Sequence, residues 1–217
     1  MTSVPISNKR RMIEISAVVL TAIGKFVFMD YLGWRFPFVI IAIIAWTSYI
    51  IYRNQTKTGV IKYWGFRTDN FKTVTRRVLP FGLFAVIAFI GIGLYQDTIN
   101  ITWHIIPILI LYPIWGIIQQ FLLIALTAGN IQDLKGQNLD KGIIILFSAL
   151  LFAAIHYPFG WLMIGTFILA AFYGLIYLNE RNIYVLGLFH GWLGGLFYYT
   201  VLGRDPFLDT FGILLNH

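Results

Sequence analysis

Seven long apolar segments divide this chain, and they constrain its fold more than any other feature. A helix needs about 20 apolar residues to cross the hydrocarbon core of a bilayer. The composition agrees, because 59% of the residues are hydrophobic and only 12% are charged, against about 25% charged in an average soluble domain. The sequence therefore predicts an all-α polytopic membrane bundle of about seven transmembrane helices, with residues 1–217 forming a single integral membrane domain. The predicted spans are about 12–33, 36–52, 78–95, 104–128, 142–157, 161–178 and 183–202.

Lysine and arginine are sorted between the two ends of these spans. Only Arg35 and Arg204 fall on one side, and Lys25 lies within the first span. The positive-inside rule then predicts a multi-pass protein with a cytoplasmic N-terminus, and we expect the plasma membrane of a prokaryote. The net charge of +7 is interpreted as loops lying on anionic lipid, not as a nucleic-acid site. The other thirteen basic residues are Lys9, Arg10, Arg11, Arg53, Lys57, Lys62, Arg67, Lys72, Arg76, Arg77, Lys135, Lys141 and Arg181.

Four polar side chains interrupt the later spans. Gln119 and Gln120 lie in the fourth span, His156 ends the fifth and His190 lies in the middle of the seventh. A charged group at the bilayer centre costs roughly 2.5 kcal/mol or more, so ionisable residues in a span indicate a functional site. The alternative is a structural role as hydrogen-bonding groups between helices. A metal site is weakly supported, because two histidines and a glutamine lack the usual third strong ligand, and we expect no cofactor.

Small residues mark one face of the last span. Gly187, Gly191 and Gly195 recur every four residues, and His190 lies on the adjacent line. Glycines at this spacing allow the backbone of a neighbouring helix to come close. We therefore expect the imidazole of His190 to lie at a tight helix–helix contact.

The order of these polar residues matches part of a known pattern. Phe152-x-x-x-His156 ends one span, and His190 lies centrally two spans later. This arrangement resembles the CAAX protease and bacteriocin-processing (CPBP/ABI) family of intramembrane endopeptidases. That family has Glu-Glu-x-x-x-Arg on one helix, Phe-x-x-x-His on the next and His-x-x-x-Asn/Asp two spans later. The resemblance predicts a CAAX-protease-like core over residues 104–202.

The chain departs from the family pattern at its other positions. Gln119 and Gln120 replace the glutamate pair, Ile124 replaces the arginine, and Gly194 replaces the final Asn or Asp. The resemblance implies that a glutamate activates water in members of this family. A carboxamide cannot accept a proton in this way, although it can orient water or donate to an oxyanion.

The resemblance therefore predicts an endopeptidase with an altered catalytic set. His156 or His190 would serve as the general base, and Gln119 or Gln120 would hold water or stabilise the oxyanion. The expected substrates are membrane-associated or lipidated peptides and proteins. The alternative is a catalytically inactive family member that binds a membrane peptide or a partner protein.

A simple estimate of depth separates the two histidines. At about 1.5 Å per residue, His156 lies roughly 20 Å from the cytoplasmic end of its span, and His190 about 10 Å from the same side. Gln119 and the two histidines meet only if the fifth span tilts or starts below the membrane surface.

Overall fold

A computed structural model describes residues 6–136 and 138–212, and these residues are helical with no strand. Seven helices occupy the seven predicted spans, and two short helices lie at the ends of the bundle. Five of the seven are long and apolar enough to cross a bilayer unaided, which confirms an all-α membrane bundle. The helices are α1 (Asn8–Tyr31), α2 (Arg35–Thr56), α3 (Val60–Tyr63), α4 (Phe71–Gln96), α5 (Ile105–Gln132), α6 (Lys141–Ala154), α7 (Gly160–Glu180), α8 (Ile183–Thr200) and α9 (Pro206–Phe211).

The segments predicted to share one side do lie at one end of the bundle, which we call the basic face. Asn8 donates to the carbonyl of Lys135 at 2.9 Å, and the N–H of Ile183 donates to the carbonyl of Gly65 at 2.8 Å. The connections α1–α2, α4–α5, α6–α7 and α8–α9 therefore lie at the opposite face.

Helices α5 and α8 make the closest contact in the core. An added Cβ at Gly191 would lie 2.4 Å from the backbone nitrogen of Pro113, and one at Gly187 would lie 2.5 Å from the Cα of Ile117. A Cβ at Gly195 would lie 2.7 Å from the side chain of Ile108. The prediction of a glycine face on α8 is therefore confirmed. The partner of this face is α5, the helix that carries both glutamines.

Helix α5 changes its winding directly after the glutamine pair. The segment Phe121–Gly129 is π-helical, and all nine of its residues are buried. Thr127 supports this winding, because its hydroxyl donates to the carbonyl of Leu122 at 3.0 Å. Such π-helical segments are rare and are found frequently at functional sites. Ile124, where the family has arginine, lies fully buried within it.

Helix α8 begins below the basic face instead of at its surface. Asn182, the residue before α8, is 0% exposed. Its side-chain amide donates to the carbonyl of Arg67 at 3.0 Å and to Asn70 Oδ1 at 2.7 Å. Its side-chain oxygen accepts from the N–H of Val185 at 3.0 Å and caps the helix. Residues 60–70 thus cover the start of α8. His156 and His190 line one cavity, so the difference in depth that span lengths suggest does not keep them apart.

A buried ionic cluster near the basic face attaches α1 to α5. Arg11 donates to Asn130 Oδ1 at 3.1 Å, and Asn130 donates to Glu14 Oε2 at 2.7 Å. Asp133 lies 3.5 Å from Arg11 Nη1 and 2.6 Å from Arg181 Nη2. We refer to Arg11, Glu14, Asn130, Asp133 and Arg181 as the ionic cluster.

Candidate active site

The two glutamines of α5 hold the imidazole of His190 from both sides. Gln120 Nε2 lies 3.0 Å from His190 Nδ1, and Gln119 Oε1 lies 2.9 Å from His190 Nε2. His190 is 8% exposed and Gln120 is 0% exposed. The glycine contact between α5 and α8 places these three side chains within hydrogen-bonding distance.

The atom types in this triad specify its proton arrangement. An amide NH₂ only donates and an amide oxygen only accepts. Gln120 therefore donates to His190 Nδ1, and His190 donates through Nε2–H to Gln119. The imidazole is neutral, and both of its nitrogens have a partner. Gln119 retains its own NH₂ group as a donor.

His156 has a different environment from His190. It follows the last turn of α6, where its N–H bonds to the carbonyl of Ala153 at 3.0 Å. Its Nδ1 lies 2.7 Å from the carbonyl oxygen of Phe152. A carbonyl only accepts, so the proton is on Nδ1 and the lone pair is on Nε2. Of the two histidines, His156 is thus the one that retains a nitrogen able to accept a proton.

The ring of Phe152 lies between the two imidazoles. Its centroid is 4.8 Å from that of His156 and 5.5 Å from that of His190. Phe152 itself is 1% exposed. The phenylalanine that lies four residues before His156 in the sequence therefore packs against both histidines.

A cavity of about 450 Å³ joins these groups. Gln119, His156 and His190 line it together with Gly194 and mainly apolar side chains, while Gln120 lies behind His190. Gly194 faces open space, because an added Cβ would meet nothing within 4 Å. The cavity thus has room at the position where the family pattern has Asn or Asp.

The cavity extends toward the opposite face, where it meets an ion pair that sequence reasoning did not use. Lys25 Nζ lies 2.6 Å from Asp30 Oδ2, and both residues line the cavity. They are five residues apart in the π-helical segment Lys25–Tyr31, and this winding brings such positions together. Two opposite charges inside an apolar run were the signal available in the sequence. Thr210 and Phe211 of α9 line the same end.

Among the described residues, no carboxylate is hydrogen-bonded to His156 or His190, and the acid that lines their cavity, Asp30, is paired with Lys25. Among residues 6–136 and 138–212, no three His, Cys, Asp or Glu side chains lie close enough together to share a metal ion. The hydrogen-bonding groups of the four predicted site residues are two neutral imidazoles and two carboxamides.

A match to a known protein family includes the residues of this site. Residues 98–195 match the family model described as type II CAAX prenyl endopeptidase Rce1-like. The match includes Gln119, Gln120, Phe152, His156 and His190. No curated protein and no solved structure matches the chain at a significant level.

Proposed function

We propose that this integral membrane protein hydrolyses a peptide bond in membrane-associated or lipidated substrates, because residues 98–195 match the Rce1-like CAAX endopeptidase family model. His156 is the general base, and the NH₂ group of Gln119 stabilises the oxyanion. His190 and Gln120 are positioning residues that orient Gln119. The observation that carries this proposal is the free Nε2 of His156, which results from the bond between Nδ1–H and the Phe152 carbonyl at 2.7 Å.

The proposed reaction needs only these groups and water. His156 Nε2 takes a proton from water as the water oxygen adds to the scissile carbonyl carbon. The carbonyl oxygen becomes an oxyanion and accepts from the Gln119 NH₂ group. His156 then gives its proton to the leaving nitrogen, and the C–N bond breaks to yield a carboxylic acid and an amine.

Two features of the site support the role of Gln119. Its oxygen accepts from His190 Nε2–H at 2.9 Å, which leaves the NH₂ group to the cavity. Gln120 completes the chain by donating to His190 Nδ1 at 3.0 Å. Preorganised donors of this kind act most strongly where water is excluded.

The cavity lining supports an apolar substrate. Its volume of about 450 Å³ and its largely aliphatic and aromatic walls suit a hydrophobic peptide segment or a lipid-modified side chain. We propose that the substrate enters from the bilayer and that the basic face is cytoplasmic, in accord with the distribution of lysine and arginine.

A second function has its own observation. Both nitrogens of His190 have partners, and the carboxylate that lines the cavity, that of Asp30, is paired with Lys25 at 2.6 Å. These features suit a relative that binds a membrane peptide without cleaving it.

One experiment separates the two functions. The protein is reconstituted into liposomes and incubated with a panel of membrane and prenylated peptides, and cleavage is followed by mass spectrometry. We expect the wild type to cleave and His156→Gln to lose about 10²–10⁴-fold in rate. The control is His104→Gln, since His104 pairs with Asp205 outside the cavity, and it should retain the rate.

Two outcomes would contradict the proposal. Wild type that cleaves nothing but captures a peptide, with capture weakened in His156→Gln, would establish the binding function. Undiminished cleavage by a His156→Ala/His190→Ala double variant would refute the assignment of the histidines.

A further inference from the structure

A second cavity lies at the basic face and shares no lining residue with the candidate active site. It has a volume of about 310 Å³ and lies between the start of α1 and the end of α2. Three of the side chains that line it are cationic, namely Arg10, Arg53 and Lys57. We propose that this cavity binds a phosphate group, either the headgroup of an anionic phospholipid or a free phosphate.

The strongest observation is the state of Arg53. Arg53 is 6% exposed, and its Nε is buried without a hydrogen-bond partner among the described residues. Burial of a charged group is unfavourable unless it is paired and hydrogen-bonded. Arg53 also lines the cavity, and its guanidinium has only the Trp64 ring at 5.7 Å and a carboxylate at 4.0 Å near it, so an anion in the cavity would give this charge a closer partner.

The nearby carboxylate does not satisfy Arg53. Glu14 Oε1 lies 4.0 Å from Arg53 Nη1, and that oxygen already accepts from Tyr49 at 2.6 Å. Its other oxygen accepts from Asn130 at 2.7 Å. Glu14 is therefore committed to the contacts that hold α1, and the three cations around the cavity exceed this one acid.

The start of α1 adds backbone donors to the same cavity. Ser7, which lines it, caps only the N–H of Arg10, at 3.3 Å. The first N–H groups of a helix have no partner within the helix, and they favour an anion together with the helix dipole. A phosphate oxygen has the charge and the acceptor capacity that these donors and the guanidinium of Arg53 require.

The test uses the full protein in a neutral detergent. Binding of short-chain phosphatidylglycerol, short-chain phosphatidylcholine and inorganic phosphate is measured by titration. We expect saturable binding of phosphatidylglycerol and none of phosphatidylcholine. Arg10→Gln/Lys57→Gln should weaken it about 10- to 30-fold, since each basic residue near an anionic lipid surface contributes about 1 kcal/mol. Inorganic phosphate that binds with the same sensitivity would identify free phosphate as the source.

The control removes the same charge from the same face. Lys9 and Lys72 are exposed and lie outside the cavity, so Lys9→Gln/Lys72→Gln should change binding less than about threefold. Equal weakening by both double variants would overturn the proposal, because it would show a diffuse basic surface. Equal binding of the two lipids would overturn it as well.

Discussion

Two buried polar regions of this molecule are built from opposite chemistry. At the candidate active site, Gln119, Gln120 and His190 form a neutral triad that shares its hydrogen bonds without a charge, while the Lys25–Asp30 pair lies elsewhere on the cavity wall. The ionic cluster near the basic face uses full charges, with Asp133 between Arg11 and Arg181. Burying a charge away from water is costly unless it is paired and hydrogen-bonded, whereas hydrogen-bonded amides and a neutral imidazole cost less.

The difference indicates that one group of residues holds the helices together and another takes part in the proposed reaction. The ionic cluster joins α1 to α5 through contacts between carboxylate and guanidinium groups. The neutral site depends instead on a glycine contact that brings α5 and α8 together. We therefore expect substitutions in the cluster to change the free energy of unfolding, and substitutions in the site to change the rate of cleavage.

The largest expected effect within this comparison is on catalysis at Gln119. Gln119→Leu removes the proposed oxyanion donor, so kcat should fall about 10²–10³-fold. Steady-state cleavage of a membrane peptide measures it. Gln132→Leu is the matched control, since Gln132 also lies on α5 but donates to the carbonyl of Leu178 at 3.3 Å. A kcat for Gln119→Leu equal to that of the control would remove Gln119 from the mechanism.

A substitution in the ionic cluster should lower the free energy of unfolding and leave kcat unchanged. Asp133→Ala leaves Arg11 and Arg181, which are 5% and 9% exposed, without their carboxylate. We expect a loss of about 3 kcal/mol in the free energy of unfolding, measured by denaturant titration in micelles, with kcat of the folded fraction unchanged.

The control for this variant is an acid that also pairs with two cations. Asp69 contacts Lys62 and Arg67 at the surface, and Asp69→Ala should scarcely change stability because exposed ion pairs contribute little. If Asp133→Ala lowers kcat as strongly as Gln119→Leu does, the division between assembly and chemistry is wrong.

Much of the fold was predictable because its signals are local. Apolar runs and the sorting of basic residues gave seven helices and their order along the chain, and the spacing of Gly187, Gly191 and Gly195 identified the packed face of α8. The relation between His156 and His190 was not predictable in the same way. It depends on how the helices pack, and long-range contacts such as those of Asn182 with Arg67 and Asn70 have no periodic signal in the sequence.

The hydrogen-bonding and protonation states of the site residues could not be predicted from the sequence either. Four polar residues in spans could be identified by their cost in a membrane. Which histidine keeps a free nitrogen depends on the Phe152 carbonyl next to His156 and on the two carboxamides around His190. The π-helical winding of Phe121–Gly129 has no recognisable pattern in an apolar run.

Two glycines on α8 distinguish the effect of helix packing from the effect of filling the cavity. Gly191→Ala should cost about 1–3 kcal/mol in the free energy of unfolding, because its Cβ would lie 2.4 Å from Pro113. The helices must then separate, so cleavage should fall as well. Gly194→Ala should be neutral or stabilising by up to about 1 kcal/mol, since its Cβ meets open space. Unfolding titrations of both variants check this, and equal losses would contradict the close contact between α5 and α8.

The smallest expected effect is on the stability of the protein at acidic pH. It distinguishes regions that carry titrating charges from the neutral triad of Gln119, Gln120 and His190. Asp205 lies at the opposite face, where it accepts from Thr102 at 2.7 Å and lies 2.6 Å from His104 Nδ1. Burial raises the pKa of Asp205, but the hydrogen bonds from His104 and Thr102 outweigh it, so the pKa is lowered overall.

A lowered pKa in the folded state means that Asp205 stabilises the protein above the unfolded value of about 3.9. This contribution is lost as the pH falls from there through the folded value. The unfolding midpoint of the wild type should therefore decline more steeply between about pH 5 and pH 3 than that of Asp205→Asn. His190→Gln should leave the acid slope in this range as it is in the wild type. A slope that changes with His190 and not with Asp205 would place a titrating charge in the region that the structure makes neutral.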